Sequence, residues 1–317
     1  MTADLMGRVA AGGLLAEGRP VVVLFSGGRD STCLLDLSMR IAGLDAVRAL
    51  HVNYGLRDAA AADEAHCVEV CASLGVPLEI RRPRRPETGN LQAWAREERY
   101  RSAAELAEPL DADVAAGHTA TDQVETILYR LASSPSRRAL LGMRPREGRV
   151  VRPLLGVTRE QTAAHCLARG LTWREDASNE SDAYARARIR TSLVPALRAI
   201  HPAAEENVLA LAEVLRAEGE VLDGLVDQVL DGRQEVELVR LRGLPPGLAR
   251  LVVQRLADRA VGHPAPGTAR RAEELLVMAD NAMLDLPHDV RAVSEEGILR
   301  FVRRSDVVRH PAAGRPS

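Results

Sequence analysis

Ser26, Gly27, Gly28, Arg29, Asp30 and Ser31 stand together in the stretch VVVLFSGGRDST, residues 21 to 32. Their types suit a phosphorylated ligand. Two consecutive glycines let the backbone approach an anion closely, and the free N–H groups of a helix start point at it. The hydroxyls of Ser26 and Ser31 can donate to phosphate oxygens. Asp30 would repel a bare phosphate and is better suited to a Mg²⁺ ion that bridges phosphate oxygens. A second group of acids, Asp122 and Glu125, lies three residues apart in GHTATDQVETILYRL. Near a helix start they complement its dipole. They could also face a cleft and hold a cation. Arg96 and Arg99 lie on a strongly helical stretch, residues 91–107, and Arg186, Arg188 and Arg190 stand in ARARIR.

The elements that must position these residues read as an α/β pattern. Val21 to Phe25 is apolar without alternation, as in a strand buried on both faces of a parallel sheet. Further strands are expected at Ala46–Val52, Val76–Arg81 and Val114–Gly117, with helices over 59–74, 91–107 and from within 117–131. Polar clusters recur just past the strand ends, where open α/β sheets bind ligands. HVNYGLR, residues 51–57, is one of them. His51 and Asn53 could serve a ligand there or simply satisfy the strand end. Cys67 and Cys71 share a helix face at i, i+4, as two packed thiols or as part of a metal site that needs more ligands. RRPRRPETGN, residues 81–90, is a basic loop that either tracks an RNA backbone or stays solvated.

With 317 residues the chain is long enough for two domains, and 46% hydrophobic residues can form a real core; only 3% are aromatic, so that core is aliphatic. The net charge of −2 excludes a globally basic nucleic-acid binder, leaving local arginine patches for that role. All 42 basic side chains are arginine. There is therefore no Walker A lysine. Four cysteines without framework spacing suggest a reducing, cytoplasmic setting. No stretch approaches the roughly 20 apolar residues of a membrane span, and no cleavable signal is expected.

SGGRDS resembles the SGGxDS signature of the ATP-pyrophosphatase loop, whose members adenylate a substrate oxygen and release pyrophosphate. The series SGGRDS, HVNYGLR, AREERY, GHTATDQVET, RPLL (152–155), EDASN (175–179) and ARARIR (185–190) resembles, in this order, the tRNA(Ile)-lysidine synthetase family. The likeness is strong over residues 20 to about 202. It implies a Rossmann-like parallel sheet with helices on both faces, the N-type ATP pyrophosphatase fold. It also implies ligation of free lysine to C2 of the wobble cytidine in the CAU anticodon of isoleucine tRNA. ATP would adenylate the C2 oxygen, and the lysine amine would then expel AMP, switching the codon read from AUG to AUA. On this resemblance Ser26, Gly27, Gly28, Arg29, Asp30 and Ser31 hold ATP, with Mg²⁺ on Asp30. Asp122 and Glu125 hold the lysine, with Asp122 as candidate base. Arg99, with Arg96 as rival, stabilises developing charge. Arg186, Arg188 and Arg190 meet tRNA phosphates. A homodimer is compatible with it.

The chain departs from the family pattern at four places. Thr121 stands for a first Asp, Tyr54 for the second His of HVNHGLR, Ala187 for the Asn of RNRIR, and SSPS (133–136) for RGSG. Arg137 and Arg138 are candidates to replace the charge lost from that loop. HPAAEEN, residues 201–207, reads as a hinge, dividing an adenylation domain, 1–202, from a small helical substrate- and tRNA-binding domain, 203–317. In the latter, helices are expected over 203–231, 248–260 and 268–280, and a β-hairpin over 286–304. The further C-terminal domain of longer members is not expected. Three rivals remain. A tRNA thiolase would carry CxxC motifs for an iron–sulfur cluster, and this chain has no CxxC. A nucleotide amidotransferase needs a glutaminase partner. A regulatory module that merely binds nucleotide needs neither Asp122 nor Glu125.

Overall fold

The unbroken apolar run does form a central strand. In the computed structural model, which describes residues 2–56, 59–134, 137–174, 185–265 and 267–307, β1 spans Val21–Leu24. Val21, Val23 and Phe25 join one buried layer with Leu34, Leu37, Cys67 and Cys166, while Val22 and Leu24 join another with Leu50, Ala103 and Ala107. A strand covered on both sides has no polar face to show, which is why its sequence does not alternate. Around it lie α1 (Thr2–Ala11), α2 (Arg29–Ala42), β2 (Val47–Val52), α3 (Ala60–Leu74), β3 (Leu78–Arg81), α4 (Leu91–Ala107), β4 (Asp113–Ala115) and α5 (Ala120–Ser133). A short hairpin follows, β5 (Arg146–Glu147) and β6 (Val150–Val151), then α6 (Arg159–Ala168). The four expected strands are present, some shortened at their ends. The hairpin strands are additional; two residues are too few to show a period.

The sheet order is β3-β2-β1-β4-β6-β5, parallel except where β5 runs against β6. The chain winds outward from β1 through β2 to β3, then returns to place β4 on the other side of β1. Neighbouring loops leave in opposite directions at that reversal and open a crevice at the carboxyl ends of β1 and β4. SGGRDS follows β1 and GHTATD follows β4. At the opposite end of β4, buried Asp113 is clamped by Arg146 (2.7 Å) and Arg19 (2.7 Å). Burial opposes its charge, but the two guanidinium groups hold its carboxyl below the usual range.

Helix α7 (Ala185–Arg188) passes into a π-helical turn, Ile189–Leu193, and α8 (Val194–Ile200); Val124 and Leu128 of α5 pack on Ile189 and Val194. EDASN lies outside the described residues, as do Arg57 and part of SSPS. The chain divides into two compact units, Met1–Ala212 and Glu213–Ser317. Helix α9 (Ala204–Leu230) begins in the first and ends in the second. The second unit continues with β7 (Glu235–Glu237), α10 (Leu238–Arg242), α11 (Pro246–Val261), α12 (Ala272–Leu276), β8 (Ala282–Leu286), β9 (Val290–Glu295), β10 (Ile298–Arg303) and α13 (Arg304–Val307). The expected hairpin is β9–β10, turning at Glu296 (φ 51°) and Gly297 (φ 76°). It is the centre of an antiparallel sheet, β7-β10-β9-β8, which sequence patterning did not reveal. No helix among the described residues is long and apolar enough to cross a membrane.

Candidate active site

The loop after β1 is braced from below. Gly27 has φ 76°, and a Cβ there would lie 3.0 Å from Cys67 Sγ and 3.2 Å from His66 Cδ2. Only glycine fits that approach to α3 without strain. Gly28 is ordinary by comparison, at φ −80° and ψ 161° as the N-cap of α2. Ser31 Oγ donates to the Gly28 carbonyl (2.8 Å) and lies 3.1 Å from Ser26 Oγ. The first turn is thus tied to the loop, with both hydroxyls at its mouth. His51 Nδ1 lies 3.0 Å from the Phe25 carbonyl, and Asn53 donates to Glu64 (2.9 Å). His51 thus satisfies a strand end, whereas Asn53 ties the loop after β2 to α3. Cys67 and Cys71 are buried thiols, each pushed up to about 12 by burial. Among the described residues no three His, Cys, Asp or Glu side chains gather to hold a metal. Arg82 in the basic loop pairs with Glu64.

The loop after β4 touches the same helix start. A Cβ on Gly117 would come 3.3 Å from the Ser31 nitrogen, so glycine lets the two arms close on each other. Thr119 is the N-cap of α5 in a reciprocal capping box with Asp122. Asp122 Oδ2 accepts from the Thr119 backbone N–H (2.8 Å) and its hydroxyl (2.9 Å). Asp122 Oδ1 is left to face Arg159, whose Nη2 donates at 2.7 Å. The carboxylate is thus divided, one oxygen serving the helix start and the other Arg159.

Arg159 is the residue around which the acids assemble. Its Nη1 lies 3.6 Å from Glu125 Oε1, and its Nε lies 3.6 Å from Asp30 Oδ2. One guanidinium thereby joins the acid of the glycine loop to both acids of α5. Burial works against its charge, yet Asp122, Glu125 and Asp30 outweigh that and raise it further above the ordinary arginine value. Glu125 is buried and also pairs with Arg190 Nε at 3.3 Å. Thr162 on α6 donates to Asp30 Oδ1 at 2.5 Å. A buried His165–Asp36 contact of 2.8 Å fastens α6 to α2. Burial opposes the Asp36 charge, while His165 and Arg169 hold its carboxyl below the ordinary value.

His118 completes the β4 arm. It is partly buried, its Nδ1 has no hydrogen-bond partner among the described residues, and its pKa falls to about 4. Burial is the main cause; Asp122 pulls the other way, and Arg152, Arg96 and Arg99 add to the fall. It is a neutral imidazole at neutral pH. Arg99 donates to Tyr54 Oη (3.1 Å), its guanidinium 5.9 Å from the Tyr54 ring centre, and Trp94 meets that ring edge-on at 5.7 Å. Arg96 lies over Tyr100, 5.0 Å from the ring centre. Arg188 lines an open, largely apolar cleft of about 620 Å³ with Tyr129, Ser133 and Ser192. The side chain of Arg186 lies outside the described residues. Arg137 and Arg138 lie in a 3₁₀ turn after α5.

Sequence reasoning brought together Asp30, Asp122 and Glu125. It assigned Arg190 to phosphate; in the structure its Nε lies beside Glu125. It passed over Arg159, Thr162 and His118. A signal for Arg159 was present: in TREQ a capping box opens a helix with a cation at its first position, against the dipole.

The PP-loop domain matches residues 7–197. The chain is 35% identical over 333 residues to the tRNA(Ile)-lysidine synthase of Symbiobacterium thermophilum, covering 95% of this chain and 68% of that protein. It is 35% identical over 267 residues to that of Gloeobacter violaceus, with 79% and 80% covered. It is 32% identical over 308 residues to that of Dehalococcoides mccartyi, covering 87% of this chain and 64% of that one, so it spans about two thirds of such a relative. Among solved structures, the U34-tRNA thiolase NcsA from Methanococcus maripaludis with its [4Fe-4S] cluster aligns with a TM-score of 0.56 at 16% identity, over 68% of this chain and 78% of that one. That likeness shows a shared fold.

Proposed function

The chain belongs to the PP-loop family and, within it, to the tRNA(Ile)-lysidine synthases, and from that premise we propose that it makes lysidine. On this reading it joins free lysine to C2 of the wobble cytidine of isoleucine tRNA with the CAU anticodon, converting AUG reading to AUA. One observation carries the reading: the acids expected to receive an ammonium share a guanidinium with the acid of the glycine loop. That supports a nucleotide and an amine meeting at one mouth.

ATP would lie on Ser26, Gly27, Gly28, Arg29 and Ser31, its phosphates toward the start of α2. Asp30 offers a hard carboxylate oxygen there. A Mg²⁺ ion held by one carboxylate, phosphates and water needs no larger protein cage, so the donor set fits, and the ion would neutralise phosphate charge. The cytosine O2 attacks the α-phosphorus and pyrophosphate leaves. Lysine arrives as an ammonium, its amine pKa being about 10.4. Asp122 and Glu125 bind it, and Asp122 Oδ1 takes one proton. The freed amine attacks C2, the C2–O bond breaks, and AMP leaves. Neutral His118 and the Arg96–Arg99 pair flank the reacting oxygen and stabilise its charge. Residues 203–317 contribute tRNA binding, with Arg188 beside the cleft on α7. The test is incubation with ATP, Mg²⁺, labelled lysine and unmodified isoleucine tRNA. Label should appear at the anticodon cytidine; binding of nucleotide without any transfer of label would refute the reading.

A further inference from the structure

Arg159 stands where the proposed chemistry needs other cations. Asp30 is wanted by the metal of a bound nucleotide, and Asp122 with Glu125 by an ammonium, yet one guanidinium spans all three. Its fit is loose. Only the contact with Asp122 is a close hydrogen bond, at 2.7 Å; the other two are 3.6 Å ion pairs, and Nε has no hydrogen-bond partner among the described residues. Its place is also unfavourable for a helix. As the first residue of α6 it puts positive charge at the positive end of the dipole, which opposes it. Two of the acids, by contrast, are anchored without it, Asp122 by Thr119 and Asp30 by Thr162, and Glu125 has a second cation beside it in Arg190, at 3.3 Å.

We propose that the Arg159 guanidinium is an internal counter-ion that both substrates displace, and that sharing it makes nucleotide binding and amine binding help each other. This rests on the functional reading above. With the crevice empty, Arg159 neutralises the acids. A Mg²⁺-nucleotide arriving at Asp30 draws one carboxylate out of the cluster and weakens the hold on Arg159. An ammonium arriving at Asp122 and Glu125 then finds those acids easier to claim. Linkage requires the reverse effect to be equal. The device also selects for order: lysine alone competes poorly against a tethered guanidinium, so the amine is captured mainly once a nucleotide is in place.

The experiment measures binding on the intact chain by calorimetry, with a non-hydrolysable ATP analogue plus Mg²⁺, with lysine, and with each in the presence of the other. In the unaltered protein each ligand should tighten the other. In Arg159→Met, each alone should bind roughly tenfold tighter, as expected when a competing state that holds about nine tenths of the molecules is removed. The mutual effect should fall to none. Weaker nucleotide binding in Arg159→Met would make Arg159 a phosphate ligand and overturn the proposal, as would an undiminished mutual effect. If Arg159→Met fails to fold by circular dichroism, Arg159→Lys serves. A point charge cannot span three carboxylates, so the mutual effect must shrink, and its persistence overturns the proposal. Failure of the functional reading looks different: lysine would bind neither protein, while Arg159→Met would still tighten the nucleotide.

Discussion

Substituting each glycine of the phosphate loop in turn should separate two roles that the sequence makes look identical. Gly27→Ala places a methyl at φ 76°, 3.0 Å from Cys67 Sγ and 3.2 Å from His66 Cδ2. The left-handed backbone costs an L-residue about 1–2 kcal/mol. Cys67 is fully buried, so little can give, and overpacking adds about 1–3 kcal/mol. A reduced unfolded-state entropy returns about 0.4–1 kcal/mol. The net loss is about 1–5 kcal/mol, centred on ~3, a large part of the roughly 5–15 kcal/mol by which a domain is stable. With a urea slope of about 2–3 kcal/mol per molar, the midpoint should fall by roughly 1 M. Adding Cys67→Ala removes the nearer contact and should recover part of the loss. Gly28→Ala differs. Its φ is −80°, and its methyl would meet nothing closer than Ser26 Oγ at 3.4 Å. It should unfold like the unaltered protein yet bind ATP more weakly, because the methyl lies where an anion must approach. Equal urea midpoints for the two variants would refute the steric argument. Undiminished ATP affinity in Gly28→Ala would refute the assignment of the cradle.

Two further outcomes follow from the β4 arm. Asp122→Asn should keep nucleotide binding but lose lysine transfer, measured by label incorporation, since the amide oxygen can still accept from Thr119 but the side chain cannot take a proton; retained transfer removes Asp122 as base. His118 has a folded pKa of about 4 against an ordinary 6.5. The unfolded chain therefore takes up the proton first as pH falls. This contribution is complete above about pH 6.5 and is lost on the way down to about pH 4, by up to roughly 3 kcal/mol. His118→Asn should flatten the dependence of the urea midpoint on pH over that window, and an unaltered slope would mean that His118 is protonated normally.

Much of this was legible from residue order alone. Val21 to Phe25 announced a strand covered on both faces, and the polar segments after β1 and β4 marked the crevice before any topology was known. The reversal that puts β4 beside β1 was not readable, because nothing local in Asp113–Ala115 says which strand it pairs with. Arg159 escaped for a related reason. Its acids lie far along the chain, on α2 and α5, and only the packing of α6 on α2 through Asp36 and Thr162 brings it to them. Arg190 was assigned to phosphate through the likeness of ARARIR to RNRIR; its pairing with Glu125 depends on the π-helical turn that carries it toward α5, which residue order does not show. The strands β5 and β6 were too short to leave a period.

The divided carboxyl group of Asp122 has a mechanical consequence. With one oxygen spent on the threonine cap, the whole side chain is set when α5 forms and has no slack afterwards. Any give during turnover must come from across the gap, from a long side chain on a different helix. The crevice thus works as a vice with one fixed jaw and one sprung jaw, and the fixed jaw belongs to the folding of the helix itself.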